Sequence, residues 1–261
     1  MYSERWDDYR PEDLVWARLV PHRSRVERAV DVTAAWLVAC QRPYVAVSGG
    51  KDSVAMLAIV QDAAQRIGRP PIDVMWHDSG VEWPHVPEVF DRLRALGLVH
   101  TLHIVRPDED VLELKRRQMA GELSAWKKDE LALFGPLRRY AEAHRLDAMA
   151  LGLRSGESAG RAVSRATHGL TYRRTGGMLV CTPIADWLWQ DVFAFIAARR
   201  LPLHPIYSAP LLQLEHRGRI RLSWWASTDH HRHGELTWVR VNYPQIFARL
   251  CAALPGVGRL G

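Results

Sequence analysis

Cysteine is scarce in this sequence. The 261 residues include three, Cys40, Cys181 and Cys251, which lie far apart and show no CxxC or other spacing typical of metal ligands. This pattern fits a reducing compartment and argues against a disulfide framework. We therefore expect no iron–sulfur cluster and no cysteine-ligated zinc.

Long apolar runs are also missing. The sequence contains no stretch of about 18 apolar residues, the length needed to cross a bilayer, and it begins with MYSERWDDYR, which is polar and of mixed charge. It therefore predicts neither a membrane span nor a secretory signal. We expect a cytoplasmic protein that has no membrane partner.

Lysine is nearly absent as well, with only Lys51, Lys115, Lys127 and Lys128 among the 35 basic residues. The formal net charge is nevertheless +6, and the sequence pI is about 9.5. Such a charge favours anionic ligands, among them nucleotides, sulfate-like groups and nucleic acids. Because the excess is almost entirely arginine, which genomic composition explains equally well, charge alone leaves a nucleic-acid partner open.

What is present is an alternation of strands and helices. Helical spacing of Val26, Val30, Ala34 and Leu37 predicts a helix over residues 24–40. Buried strands are predicted at residues 44–47, 72–77, 99–105, 147–152 and 178–182. This order predicts an α/β fold with a doubly wound, mainly parallel five-stranded Rossmann-like sheet that has helices on both faces.

The pattern divides the chain into three segments. Residues 1–42 are predicted to form an N-terminal helical extension, residues 43–207 the α/β domain that carries the motifs below, and residues 208–261 a C-terminal extension packed on the same domain. Within the domain, residues 107–145 are predicted to form two helices broken near FGP.

The stretch YVAVSGGKDS joins a predicted strand to a helix that begins near Asp52. Its two glycines let the backbone approach an anion closely, and successive amides together with the positive helix N-terminus face the same space. Lys51 adds a point charge, and two serines offer hydroxyl donors. A Walker A loop is excluded, because Val45 stands where its first glycine would be and Asp52 follows Lys51. The pattern predicts a phosphate or pyrophosphate site formed by Val47, Ser48, Gly49, Gly50, Lys51, Asp52 and Ser53.

SGGKDS matches in full the S-G-G-x-D-S motif of the PP-loop ATP pyrophosphatases, the adenine nucleotide alpha hydrolase-like superfamily, which the chain therefore resembles. The resemblance implies that the loop grips the β- and γ-phosphates of ATP and leaves the α-phosphorus open to attack. Cleavage would then give AMP and pyrophosphate, or an adenylylated acceptor. From the residues alone, an amide nest with one lysine can neutralise the charge that develops on a departing pyrophosphate.

A second motif, HDSGVEWP, follows the second predicted strand. It resembles the DTG-x-x-F/W-P segment of the phosphoadenylyl-sulfate (PAPS) reductase branch of this superfamily. Asp78, at the carboxyl end of the strand, is a candidate ligand for Mg²⁺ or for a ribose hydroxyl, and His77 is counted among the expected nucleotide contacts. D-S-G is also a common turn, and a lone histidine at a strand end is more often structural.

A third motif, GLRSGESAGR, follows the fourth strand and resembles the G-x-R-x-x-E-S-x-x-R motif of the same branch. Arg154 and Arg161 can clamp phosphate or sulfate oxygens in forked geometry, and Glu157 can orient one of them. Because loops that follow the strands of an open α/β sheet meet at its topological switch point, we expect the three motifs to converge there. The residues of this motif expected at the nucleotide are Gly152, Arg154 and Glu157, and the expected catalytic residues of the chain are Lys51, Asp52, Arg154 and Arg161.

The likeness to the branch continues through residues 182–207, TPIADWLWQDVFAFIAARRLPLHPIY, which we interpret as a helix packed on the sheet and its tail. The sequence departs from the reductases of the branch, because it lacks their C-terminal reactive cysteine and the paired cysteines of their cluster-bearing members. Cys251 lies with Phe247 and Leu254 on one helical stripe, which predicts a buried apolar thiol. The histidines of DHHRHGE are predicted to lie in a solvated loop rather than at a metal.

We therefore predict an enzyme that binds ATP and Mg²⁺, cleaves the α–β phosphate bond and passes the adenylyl group to water or to an unidentified acceptor, which must bring the nucleophile. The alternatives are a sulfonucleotide (PAPS or APS) reductase with an unusual thiol source and a nucleotide-binding subunit of a nucleic-acid sulfur-modification system. A homodimer is compatible with the resemblance, because PP-loop relatives often form one.

Overall fold

A six-stranded sheet organises the computed structural model, which describes residues 5–208, 217–220, 222, 235–254 and 256–257. The strand order is β3-β2-β1-β4-β6-β5, and the pairs are parallel except that β5 runs antiparallel to β6. The strands are β1 (Pro43–Ala46), β2 (Asp73–His77), β3 (Leu102–Val105), β4 (Ala148–Leu151), β5 (Thr171–Arg173) and β6 (Leu179–Cys181).

The five predicted strands are confirmed, and the predicted strand count is corrected by the short edge strand β5. Sequence patterning missed β5 because an edge strand of three residues carries no apolar run, and Thr171 and Arg173 are exposed. A turn with Gly176 and Gly177, both at positive φ of 97° and 88°, joins β5 to β6 as a hairpin. The mainly parallel, doubly wound architecture is unchanged by this addition.

Helices pack on both faces of the sheet, as predicted. The described helices are α1 (Pro11–Ala17), α2 (Val20–Val38), α3 (Lys51–Arg66), α4 (Val86–Ala95), α5 (Val111–Met119), α6 (Ala125–Asp129), α7 (Gly135–Ala143), α8 (Ala159–His168), α9 (Trp189–Arg199), α10 (Glu235–Asn242) and α11 (Pro244–Ala253). Among them, none is both long and apolar enough to cross a bilayer.

The sheet separates two hydrophobic clusters, because side chains alternate between its faces along each strand. Val45 and Val74 belong to the larger cluster, to which α2, α3, α4 and α9 contribute. Tyr44 and Met75 belong to the smaller cluster, against which Leu137 of α7 packs. Helix α3 is the centre of the larger cluster, and its residues 54–60 are all fully buried. A helix that is apolar around its whole circumference is buried on all sides, so the loop that precedes α3 has a rigid support.

The predicted break near FGP is wrong. The chain stays helical through Gly135 and Pro136, because a π-helical segment, Glu130–Phe134, precedes α7 and the Gly135 amide donates to the Glu130 carbonyl. Such widening accommodates an irregularity within a helix. The break lies earlier, between α5 and α6, where Gly121 has a φ of 76° and Ser124 caps α6 by accepting from the Lys127 amide at 3.1 Å.

One buried carboxylate fastens the N-terminal helices to α9. Asp191 is fully buried and accepts hydrogen bonds from Trp16 Nε1 at 2.9 Å, from Arg25 Nη1 at 3.2 Å and from the Leu188 amide at 2.8 Å, and it lies 3.0 Å from His22 Nδ1. Burial alone would raise the pKa of Asp191, but the hydrogen bonds from His22, Trp16 and the Leu188 amide hold it below its ordinary value.

We expect Asp191→Ala to lower the free energy of unfolding by about 3–5 kcal/mol, because it leaves buried donors and charge without a partner. Because the folded-state pKa of Asp191 is lowered, its stabilisation is present above the ordinary carboxyl pKa and is lost as the pH falls through the folded value. The difference between wild type and variant in urea unfolding should therefore shrink from pH 7 towards pH 3. The matched control is Asp91→Ala, which removes an exposed carboxylate paired with Arg94 and should cost about 1 kcal/mol or less. Equal losses in the two variants would contradict this role of Asp191.

Candidate functional site

Residues 48–53, the PP loop, connect β1 to α3. Gly49 has a φ of +79°, a conformation that L-residues rarely adopt, and a Cβ there would lie 3.3 Å from Val86 Cγ1. Gly50 is extended and precedes the first residue of α3, Lys51. The turn therefore depends on glycine at position 49, and it points the N-terminus of a 16-residue helix at the space beyond β1.

The two serines of the PP loop bind the loop itself. Ser53 Oγ donates to the Gly50 carbonyl at 2.9 Å and accepts from the Ser48 amide at 3.2 Å. Ser48 Oγ lies 3.2 Å from Ser53 Oγ and 3.4 Å from the Gly50 amide. These contacts hold the loop in shape, which sequence reasoning did not foresee when it assigned both hydroxyls to the phosphate.

Lys51 is buried, with 1% of its surface exposed. Its Nζ donates to Asp52 Oδ2 at 2.8 Å and to the Ile220 carbonyl at 3.2 Å, and it lies 5.4 Å from the centroid of the Tyr207 ring. The Lys51 amide donates to the Tyr207 hydroxyl at 3.0 Å. Tyr207 and Ile220 are site neighbours that sequence reasoning missed. Tyr207 ends the fourth stretch of family resemblance, residues 182–207, whereas Ile220 acts through its carbonyl and left no signal in the sequence.

A chain of alternating charges links the PP loop to the loop after β4. Arg154 Nε donates to Asp52 Oδ1 at 2.6 Å, and Arg154 Nη2 lies 3.6 Å from Glu157 Oε1. Glu157 in turn pairs with Arg161 in the first turn of α8. With Lys51, this gives three cations and two carboxylates, a net charge of +1. The structure thus brings together five predicted residues of two motifs that lie about a hundred positions apart.

Asp52 is the centre of this chain. Burial alone would raise the pKa of its carboxyl, but the charges of Lys51 and Arg154 and their hydrogen bonds hold the pKa below its ordinary value. Asp52 is therefore ionised at neutral pH and is a poor general base. What it can do is fix the positions of two cations.

Gly152 lies where β4 ends against the start of α3. A Cβ at this position would lie 2.9 Å from the backbone carbon and oxygen of Asp52 and 2.9 Å from Ser53 Cα. Val47, the other predicted residue that lies below the loop, is buried, and its amide donates to the Met75 carbonyl at 2.9 Å. Both residues hold the PP loop against the sheet.

His77 and Asp78, at the end of β2, make their contacts elsewhere. His77 Nε2 lies 2.7 Å from the Ala132 carbonyl, and burial lowers the pKa of His77. Asp78 Oδ1 accepts from the Gly80 amide at 3.0 Å, and Oδ2 accepts from Arg106 Nε at 2.8 Å. The D-S-G turn is thus formed, and no hydrogen bond joins it to the PP loop among the described residues.

Candidate metal ligands are few in the part of the chain that the structure describes. It contains no group of three or more His, Cys, Asp or Glu side chains placed to hold a metal ion. Asp78, the predicted Mg²⁺ ligand, is a single carboxylate at the strand end. That is compatible with Mg²⁺, which usually binds through one or two carboxylates plus phosphate oxygens. The predicted solvated loop with His230, His231 and His233 lies outside the described residues.

Two of the three cysteines are poorly suited to nucleophilic attack. Cys40 and Cys181 are buried, and burial raises the pKa of Cys40 and raises that of Cys181 to about 12. Cys251 packs with Phe247 against the larger hydrophobic cluster, as its helical stripe predicted, but it is half-buried and not buried. A thiolate is the nucleophilic form of cysteine, and burial disfavours it at both fully buried positions.

The sheet order places these groups at a topological switch point. β1 lies between β2 and β4, so the chain moves in opposite directions on either side of it. The PP loop follows β1, and the loop with Arg154 follows β4. Ligands of open α/β sheets bind in the crevice at this point, which makes it the candidate nucleotide site.

Comparison with known proteins agrees with this geometry. Residues 42–218 match the model of the phosphoadenosine phosphosulfate reductase domain. Sulfate adenylyltransferase subunit 2 of Rhodopseudomonas palustris is 28% identical over 75% of this chain, which spans 65% of that relative, just under two thirds. A phosphoadenosine 5'-phosphosulfate reductase of Xanthomonas campestris is 26% identical over 68% of this chain and 71% of its own length. A Candida auris phosphoadenylyl-sulfate reductase shares the fold, with a TM-score of 0.52, 18% identity, and coverage of 72% of this chain and 87% of its own.

We expect Gly152→Ala to destabilise the protein by about 1–3 kcal/mol, because the added Cβ would meet backbone atoms that cannot move without shifting the start of α3. Chemical denaturation measures this loss. Gly156→Ala is the matched control, since a Cβ there meets nothing within 4 Å, and it should change stability by no more than about 0.5 kcal/mol. A Gly152→Ala variant as stable as this control would show that the contact is not tight.

Proposed function

The chain belongs to the phosphoadenosine phosphosulfate reductase domain family, and from this premise we propose that it binds ATP at the PP loop and cleaves the α–β phosphate bond by adenylyl transfer. The single observation that carries the proposal is the hydrogen bond from Arg154 to Asp52 of the PP loop, at the switch point of the sheet. This hydrogen bond puts the amides of the PP loop and a buried guanidinium on the two sides of one crevice.

The PP loop supplies the pyrophosphate half of the site. The loop amides and the N-terminus of α3 attract the β- and γ-phosphates. Lys51 adds a positive charge once its Nζ exchanges the Ile220 carbonyl for a phosphate oxygen. Mg²⁺, held through Asp78 and the phosphates, would supply further charge neutralisation when bound. Preorganised donors aimed at the developing charge are a large part of catalysis in such transfers.

Arg154 and Arg161 supply the other half of the site. An oxygen of the acceptor attacks the α-phosphorus, the bond from this phosphorus to the bridging oxygen breaks, and pyrophosphate leaves with the electron pair. Arg154 is held by Asp52 and therefore stabilises charge at the α-phosphate without first having to be ordered. Asp52 positions the two cations and takes no proton, because its pKa is lowered.

The acceptor is proposed to be an oxyanion such as sulfate. One relative is named sulfate adenylyltransferase subunit 2. Sulfate would supply the oxygen that attacks the α-phosphorus, and no motif of the sequence identifies a residue as this nucleophile. The rival function is sulfonucleotide reduction, for which relatives are also named. Burial of Cys40 and Cys181 argues against it, since a reductase needs an accessible thiolate.

The product test uses ATP labelled at the α-phosphate, with Mg²⁺ and sulfate. We expect AMP or adenylylated acceptor together with pyrophosphate. Lys51→Met should lower the rate by about 10²–10³-fold, the usual cost of losing one preorganised donor to a developing anion. Formation of ADP and phosphate would contradict the proposal.

The control for this test is Lys127→Met. Lys127 lies in the exposed last turn of α6, so its removal takes away the same charge and should leave the rate unchanged. Because Lys51 is buried beside Asp52, the thermal unfolding of both variants is measured in parallel. A Lys51→Met protein that stays folded and turns over ATP as fast as the control would remove Lys51 from the mechanism.

Cys251→Ser separates adenylyl transfer from reduction. Cys251 is the cysteine that is not fully buried, and adenylyl transfer does not use it. We expect the variant to keep the wild-type rate of pyrophosphate release, and we expect neither protein to release sulfite from APS or PAPS in the presence of a thiol reductant. Sulfite release by wild type that disappears in Cys251→Ser would establish the reductase instead.

A further inference from the structure

A small cavity lies beside Arg154, and no PP-loop residue lines it. It occupies about 40 Å³ between α8, the β5–β6 hairpin and the loops that follow β4 and β6. The lining residues that matter below are Arg154, Arg161, Ser164, Arg165, Tyr172 and Thr182. None of them belongs to the PP loop, so the cavity is separate from the phosphate cradle.

The size of the cavity limits what it can hold. A cavity needs roughly 10–15 Å³ of accessible volume to hold one water molecule. About three waters would therefore fill this cavity. One tetrahedral oxyanion group is of this size, whereas a nucleoside is far larger. The cavity therefore fits the charged group of a ligand and not its body.

The chemistry of the wall selects a ligand that only accepts hydrogen bonds. Three guanidinium groups line the cavity, and the carboxylates that pair with them, Asp52, Glu157 and Asp186, lie outside its lining. Arg165 donates Nε and Nη2 to Asp186 at 2.8 and 2.7 Å, and Arg154 uses Nε for Asp52. The Nη1 groups of Arg154 and Arg165 make no hydrogen bond to a described residue. Guanidinium groups are donors only, so an acceptor that enters the cavity can bind these two Nη1 groups.

The two hydroxyls nearest the sheet do not compete for that role. Ser155 Oγ donates to the Ala185 carbonyl at 2.8 Å, and Thr182 Oγ1 donates to the Leu170 carbonyl at 3.2 Å. Their protons are used within the protein, so the remaining donors of the lining are the guanidinium groups and the hydroxyls of Ser164 and Tyr172. Guanidinium N–H groups bind the oxygens of sulfate and phosphate.

We propose that this cavity is a subsite for one tetrahedral oxyanion, either free sulfate or phosphate or the same group on a larger acceptor. The role as acceptor subsite rests on the proposed function, whereas oxyanion binding itself does not. Arg154 is common to the two sites, because it lines the cavity and donates to Asp52 of the PP loop. An oxyanion held here therefore lies beside the crevice in which the α-phosphate is proposed to bind.

The test measures binding of sodium sulfate to the full chain by calorimetry without nucleotide, at ionic strength held constant with chloride. Ser164→Leu fills the cavity, and Arg165→Met removes one guanidinium from its wall. Each should weaken sulfate binding at least tenfold. Their matched controls are Val163→Leu, at a position of the same helix that is 65% exposed, and Arg173→Met, on the exposed edge strand. Both controls should bind within twofold of wild type.

Three further outcomes decide the rest. Equal sulfate affinity in cavity variants and controls, with all proteins folded by thermal unfolding, would overturn the subsite. A second outcome is that sulfate does not bind but a short single-stranded RNA does, with the same dependence on Ser164 and Arg165. The oxyanion is then a phosphate of a larger acceptor, and this result supports the proposed subsite. If neither probe binds, the cavity holds water only and the proposal fails.

Turnover tells the two proposals apart. If the protein transfers adenylyl groups, Ser164→Leu should raise the KM for sulfate at least tenfold and leave the KM for ATP unchanged. If it releases no pyrophosphate but still binds sulfate in a cavity-dependent way, the proposed function fails and oxyanion binding survives. An unchanged KM for sulfate would remove the acceptor role.

Discussion

The contact between Asp52 and Arg154 is the constraint on which the candidate site depends. It joins the first turn of α3 to the loop after β4 across 102 positions of sequence, at 2.6 Å. Both side chains are largely buried, and a buried charge that loses its partner is strongly destabilising. Gly152 permits the contact, because its missing Cβ lets β4 end against the backbone of Asp52. The Asp52–Arg154 ion pair and the glycine at position 152 therefore fix where the PP loop and Arg154 lie relative to each other.

This constraint also restricts the chemistry. A carboxylate shared between Lys51 and Arg154 stays ionised and keeps both cations in place, so it is not available to move protons. The described part of the site offers cations and amides, and its two serine hydroxyls are used within the PP loop. Such a site is suited to stabilising a transferring phosphoryl group and a departing pyrophosphate. In the proposed function the attacking atom therefore comes with the acceptor.

Much of this arrangement could be predicted from the sequence, because its signals are local. The buried strands, the glycine turn and the residues of the PP loop each occupy one short stretch with a recognisable pattern. The rest was set by tertiary contacts. The Ile220 carbonyl that binds Lys51 could belong to any residue, β5 is paired only along one edge, and the helix through Gly135 and Pro136 continues because a π-helical segment absorbs them. The sequence also grouped Asp78 with the other motifs; its carboxylate accepts from Arg106 and from the Gly80 amide, and its role at the nucleotide stays a prediction.

Arg154 contacts the PP loop and also lines the small cavity described above. Its Nε faces the PP loop through Asp52, and the same planar group lines the cavity under α8. A guanidinium can contact anions on two edges at once, because its five N–H donors lie in one plane. Lysine carries its three donors on one nitrogen and does not present two separate planar edges. The chain uses arginine for nearly all of its positive charge, which its overall composition can explain. At position 154 the planar shape of the guanidinium gives a second explanation for arginine.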